Sequence, residues 1–252
     1  MAHRWRVRFI GGLGHELDGR FEVPDAPAGA AVFAPCFTCP KDAKAIVRAS
    51  RALADSGIAV LRYDVTGTGD SAGSFTETSF SSQIADLEAA AAYATTRFPG
   101  RLLVIGMSLG GAVAVVTASR LPAAAAVATV NAPADTVHLR DLLLRRAPEI
   151  LDRGSAEVTL FGATVQIGRT LLDDLPRHDV EAAAAALGLP LMIFHAPADA
   201  VVPIDNARRL FTAAHHPKSF VAIDRSDHLM LDRPEAADFV GNTLAAWARD
   251  VL

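Results

Sequence analysis

The sequence predicts an α/β fold, with a mostly parallel central sheet and helices on both faces. Two observations predict it. Short apolar runs of strand length recur along the 252 residues, and segments with helical apolar spacing stand between them. At one junction Leu102-Leu103-Val104-Ile105 leads through Gly106-Met107-Ser108-Leu109-Gly110-Gly111 into the small apolar run 112–118, the pattern of a strand, a sharp turn and a helix.

The elements follow from the N-terminus. Residues 4–10 and 17–23 read as antiparallel strands, with Gly11-Gly12-Leu13-Gly14 turning between them. A strand at 30–34 precedes a helix over 42–56, which Gly57 ends before a strand at 58–63. The loop 64–78 leads to an amphipathic helix at 79–97, with Ile84, Leu87, Ala91 and Ala94 on one face. The strand at 102–105, the helix after Ser108 and a strand at 127–131 continue the alternation, which breaks between about residues 132 and 188. There the sequence predicts a helix at 139–150, a hairpin of 157–160 and 164–167 around Phe161-Gly162-Ala163, and short helices at 169–175 and 180–187. An insertion between two core strands would sit over the sheet ends, so 132–188 is expected to form a small cap within a single domain, 1–252. Strands at 191–195 and 219–223 and helices at 205–215 and 235–250 resume the pattern.

Composition excludes several function classes. The formal net charge is −4 with no basic cluster, which argues against nucleic acid. The basic start, residues 1–8, runs into Phe9-Ile10-Gly11-Gly12 without the apolar core of a signal peptide, and the alanine-rich run 123–130 is too short to span a membrane. A soluble cytoplasmic protein is expected. Cys36 and Cys39 are the two cysteines; a pair cannot complete a four-ligand zinc site, and they are expected to be reduced thiols in a loop. Gly67-Thr68-Gly69 and Gly73 lack the spacing of a dinucleotide loop, and the segment after them does not open an apolar helix.

Ser108 has the setting of a nucleophile. A serine on a tight strand-to-helix turn presents its hydroxyl, and Gly106 and Gly110 are required where side chains would collide as strand and helix close. The hydroxyl needs a base, and the base an orienting carboxylate, in the order acid then histidine after later strands. Asp199 follows the strand at 191–195 and His228 the strand at 219–223, so these are the expected partners. Among the competitors, His195 reads as a packed strand residue, His215 and His216 as solvent-facing, His138 and His178 as cap residues, Asp205 as a helix N-cap and Asp227 as a loop hydrogen-bonder. The oxyanion donors are expected to be the N–H groups of Leu109 and, in the loop after 30–34, Phe37, with Cys36 second; Pro35 has no N–H. Cys36 and Met107 are expected to wall the substrate pocket.

Five strings carry a resemblance. They are Phe33-Ala34-Pro35-Cys36-Phe37-Thr38-Cys39-Pro40-Lys41-Asp42, Arg62-Tyr63-Asp64-Val65-Thr66-Gly67-Thr68-Gly69-Asp70-Ser71, His195-Ala196-Pro197-Ala198-Asp199, His216-Pro217-Lys218-Ser219-Phe220 and Asp227-His228-Leu229. Over residues 5–250 the chain resembles the hydrolase half of bifunctional α/β-hydrolase/OsmC proteins. The resemblance implies an α/β-hydrolase fold and a serine hydrolase with the triad Ser108, Asp199 and His228, akin to serine aminopeptidase-like lipases and esterases. The chain ends after its closing helix, so no peroxidase domain and no peroxidase activity are expected. Pro35 and Met107 both stand where histidine is expected in the relatives. The function expected is hydrolysis of small-molecule esters with short to medium acyl chains through an acyl-enzyme, without cofactor or metal. An amidase or aminopeptidase, and a binding protein with little turnover, are the alternatives.

Overall fold

The N-terminal residues form a hairpin of β1 (His3–Ile10) and β2 (Glu16–Val23), closed at its turn by the Gly14 N–H donating to the Gly11 carbonyl. These coordinates belong to a computed structural model that describes residues 2–160 and 163–252. Next come β3 (Gly29–Ala34), α1 (Lys44–Asp55), β4 (Ile58–Tyr63) and α2 (Phe80–Arg97). They are followed by β5 (Leu102–Met107), α3 (Leu109–Ala118) and β6 (Ala124–Val130). The inserted segment contributes α4 (Val137–Arg146), α5 (Ile150–Arg153), β7 (Ser155–Leu160), β8 (Ala163–Gly168), α6 (Arg169–Asp174) and α7 (Val180–Ala185). The chain closes with β9 (Leu191–His195), α8 (Asp205–Ala213), β10 (Lys218–Ala222) and α9 (Glu235–Val251).

Eight strands form one sheet in the order β1-β2-β4-β3-β5-β6-β9-β10, antiparallel at β1, β2 and β4 and parallel from β4 onward. The central strands β3 and β5 are apolar throughout because both of their faces are covered. Side chains alternate across β5: Leu102 and Val104 pack into the layer with α2 and α3, whereas Leu103, Ile105 and Met107 pack into the layer with α1 and α9. The predicted face of α2 is the buried one, since Ile84, Leu87, Ala91 and Ala94 all lie in the core.

The helix predicted at 139–150 is divided in the structure. It ends at Arg146, and α5 begins at Ile150, because Pro148 lacks the N–H that an unbroken helix would use there. The hairpin of β7 and β8 forms as predicted, while Phe161 and Gly162 of its turn lie outside the described residues. The insertion is tied to the start of α2. The buried Asp174 carboxylate accepts the Ser81 N–H at 2.7 Å and the Ser81 hydroxyl at 2.9 Å, and His178 lies against both Ser81 and the Phe80 ring. Among the described residues no helix is long and apolar enough to cross a membrane.

Candidate active site

Three parallel strands, β5, β9 and the edge strand β10, deliver three side chains to one carboxyl edge of the sheet. At the end of β5, Ser108 has φ +53°, a left-handed conformation that a non-glycine residue adopts only where its surroundings hold it. A Cβ on Gly106 would run into the backbone of Gly110, and a Cβ on Gly110 would lie 2.6 Å from the Ala34 carbonyl oxygen and closer still to that of Pro35. The start of α3 therefore abuts the loop after β3, and only hydrogen fits between them. Gly110→Ala should force the two backbones apart, costing about 1–3 kcal/mol or more and lowering the unfolding temperature by roughly 5–10 °C; calorimetry checks this.

Asp199 follows β9, His228 follows β10, and both are 6% exposed. His228 Nδ1 donates to Asp199 Oδ2 at 2.6 Å, which leaves Nε2 as the acceptor facing Ser108 Oγ at 2.9 Å. The second carboxylate oxygen, Asp199 Oδ1, accepts the N–H groups of Val201 at 2.8 Å and Val202 at 2.9 Å. Burial alone would raise the pKa of Asp199, but the hydrogen bond and charge of His228 and those two N–H groups outweigh it and hold the carboxyl below its ordinary range. A fixed carboxylate, an oriented imidazole and a hydroxyl on a strained turn form a connected hydrogen-bond chain, the arrangement that draws a proton from a serine.

The competitors are otherwise engaged. His195 is fully buried and donates from Nε2 to the Val202 carbonyl at 2.8 Å, and burial pushes its pKa down. Asp227 Oδ1 accepts the Leu231 N–H at 2.6 Å, as a loop-bracing residue does. His138 stands in the first turn of α4, its main-chain N–H donating to Asp135, and His178 belongs to the anchor at α2. Asp205 is not the N-cap of its helix: Ile204 holds that position, and Asp205 in the first turn bonds Arg208 Nε at 2.6 Å.

A cavity of about 220 Å³ opens beside the serine, lined by Cys36, Phe37 and Thr38, by Ser108, and by His228 and Leu229. Ala163 of the insertion's hairpin also reaches it. The Phe37 ring is buried against Phe75, with ring centres 5.4 Å apart. Among the described residues, neither the Phe37 nor the Leu109 N–H makes a hydrogen bond, and Leu109 opens α3, where helix N–H groups are unused and the dipole is positive.

One pocket expectation, at Met107, and the expectation of reduced thiols need correction. Met107 is 1% exposed and packs in the α1 and α9 layer, away from the cavity, because strand alternation points it with Leu103 and Ile105. Cys36 does line the cavity, but it is not a free thiol: Cys36 and Cys39 form a disulfide. The loop folds as a turn in which the Cys39 N–H donates to the Cys36 carbonyl at 3.2 Å, bringing the two Cα atoms to 5.1 Å, within the range a disulfide spans.

The cavity loop is held from behind by residues to which sequence reasoning attached no role. The Lys41 N–H donates to Asp64 Oδ1 at 2.6 Å, and its ammonium lies 2.7 Å from Asp64 and 2.8 Å from Asp18. Burial opposes that charge, but the hydrogen bonds to Asp18 and Asp64 prevail and raise the lysine pKa. Asp18, Asp64 and Asp70 converge closely enough to suggest a cation site, and the cation they surround is Lys41. The available signal was a lysine and an aspartate inside otherwise apolar or glycine-rich strings.

The model of the serine aminopeptidase S33 family matches residues 40–159, a span that includes Ser108 but neither Asp199 nor His228. Among solved structures, the esterase domain of a Rhodothermus marinus protein is 41% identical, with 98% of each chain covered and a TM-score of 0.81. The chain belongs to the α/β-hydrolase family. Two further structures of this α/β-hydrolase's fold are more distant in sequence. Ferulic-acid-bound Est1E from Butyrivibrio proteoclasticus is 17% identical, covers 97% of this chain and 99% of its own, and has a TM-score of 0.82. A putative hydrolase from Agrobacterium vitis S4 is 20% identical, with 98% of each chain covered and a TM-score of 0.78. No curated protein matches the sequence.

Proposed function

We propose that this α/β-hydrolase is a serine hydrolase that cleaves carboxylic esters of small molecules with short to medium acyl chains. The observation that carries the reading is the unbroken hydrogen-bond chain from Asp199 through His228 to Ser108. In this reading His228 takes the serine proton as Oγ attacks the ester carbonyl, and the N–H groups of Leu109 and Phe37 stabilise the oxyanion. His228 then returns the proton to the departing alcohol, leaving an acyl-enzyme that water opens by the same steps in reverse order. The esterase relative at 41% identity supports the same chemistry. The hydrolase half of the bifunctional α/β-hydrolase/OsmC proteins remains our proposed subfamily, on the strings that resemble it.

The site supports the substrate class in two ways. Its cavity of about 220 Å³ is smaller than the several hundred Å³ that enclose a drug-sized ligand. Apart from His228, the lining residues carry no ionisable side chain, so a charged acyl group would be desolvated without a partner. The amidase reading needs an acidic anchor for a substrate amine. Asp135, Asp141 and Glu149 of the insertion do not line the cavity: Asp135 pairs with Arg209 at 2.6 Å, Asp141 lies near Arg140, and Glu149 sits at the start of α5.

Turnover of p-nitrophenyl acetate, butyrate, octanoate and palmitate, compared with an alanine anilide, tests the proposal. We expect kcat/KM to peak at butyrate or octanoate, with the anilide far slower because an amine departs only when His228 protonates it in time. A maximum at palmitate would refute the chain-length reading, and anilide cleavage rivalling the esters would favour the amidase. A fluorophosphonate that fails to label the protein would favour a binding role with little turnover.

A further inference from the structure

Ser108, Asp199 and His228 sit on three separate loops, and one dipeptide at the end of β6 touches all three. The Val130 carbonyl accepts the Ser108 N–H at 2.8 Å. The N–H of Asn131, the next residue, donates to the Phe194 carbonyl in β9 at 2.9 Å. The Asn131 side chain, fully buried, bridges the other two loops. Its Nδ2 donates to the main-chain carbonyl of His228 itself at 2.7 Å, and its Oδ1 accepts the N–H of Ala196, three residues before Asp199, at 2.8 Å.

The residue type suits this position in two respects. Asn131 has φ +51°, a left-handed conformation that asparagine tolerates better than most side chains. A carboxamide also presents a donor and an acceptor on one rigid plane, so it can satisfy a carbonyl and an N–H together. An ionised aspartate offers acceptors alone and would oppose the His228 carbonyl. His195 braces the acid loop from farther along, its side chain donating to the Val202 carbonyl.

We infer that Asn131 is a positioning residue for the reaction, holding the backbone of His228 at a set distance from the acid loop and from the turn that carries Ser108. The inference rests on the serine-hydrolase reading of the same site. Without the Asn131 side chain the imidazole keeps its partners but loses the brace that fixes its main chain. A displacement of about 1 Å at a reacting group can cost about 100-fold in rate.

Asn131→Gly and Asn131→Asp test the role. Glycine retains the left-handed backbone and removes both side-chain bonds; aspartate retains the acceptor for Ala196 and removes the donor to His228. With p-nitrophenyl butyrate, and with sites counted by exhaustive fluorophosphonate titration, we expect kcat per titrated site to fall about 10- to 100-fold. KM should stay within about twofold, since Asn131 does not line the cavity. A loss of folded protein would reduce the titrated sites but not the turnover of each one. Whichever variant folds decides. Turnover per site within about twofold of the parent, a loss confined to KM, or failure of both variants to fold would overturn the role. A parent protein that neither labels nor turns over esters would instead overturn the underlying serine-hydrolase reading. A parent inactivated by Ser108→Ala, yet unaffected by Asn131→Gly, would overturn the positioning role alone.

Discussion

Ser108→Ala is expected to reduce ester turnover by roughly 10³- to 10⁶-fold, with folding unchanged. The hydroxyl stands at the end of the Asp199–His228 chain, so its removal takes away the nucleophile that the oriented base would activate. Alanine preserves the backbone and loses one oxygen at a partly exposed position, so near-ultraviolet dichroism and the unfolding temperature should match the parent. His228→Ala should cost a similar factor, because serine and base act as a unit. Measured turnover in a folded Ser108→Ala protein at more than about one per cent of the parent would exclude Ser108 as the nucleophile.

Asp199→Asn is expected to cost about 10⁴-fold in kcat, although the substitution is isosteric. The N–H groups of Val201 and Val202 both point at Oδ1, so an asparagine must keep its oxygen there and turn its amide nitrogen toward His228 Nδ1. Nδ1 then has to accept, the ring proton moves to Nε2, and the nitrogen facing Ser108 can no longer take a proton. Asp227→Asn should leave kcat within a few-fold, because its carboxylate serves the Leu231 N–H and an asparagine oxygen can do the same. Steady-state kinetics of the two variants side by side test the assignment: a larger loss from Asp227→Asn would identify that residue as the orienting acid.

Much of the fold was legible because strand and helix periods are local properties. Apolar runs of strand length, the amphipathic spacing of 79–97 and the glycine and proline punctuation located nearly every element within a few residues. The helix at 139–150 was over-extended because its apolar spacing continues past Pro148, whereas the backbone cannot. Strand Ala124–Val130 begins three residues before the expected 127–131, because its first alanines resemble helix as much as strand.

The candidate site divides along the same line. Local pattern alone determined that Ser108 sits on a strand-to-helix turn with glycines on either side, and that Asp199 and His228 follow later strands in a suitable order. Each of those statements concerns neighbours in the chain. Tertiary structure decided the rest. It joined His228 to Asp199 across 29 residues and to Ser108 across 120, assigned Met107 to the far layer of the sheet, paired Cys36 with Cys39, enclosed Lys41 with three carboxylates and aimed the Asn131 side chain at two loops. The physical reason is strand order. Loops after β5, β6, β9 and β10 become neighbours only because those strands lie side by side in the sheet, and that adjacency arises from the packing of the whole core, which no local period encodes.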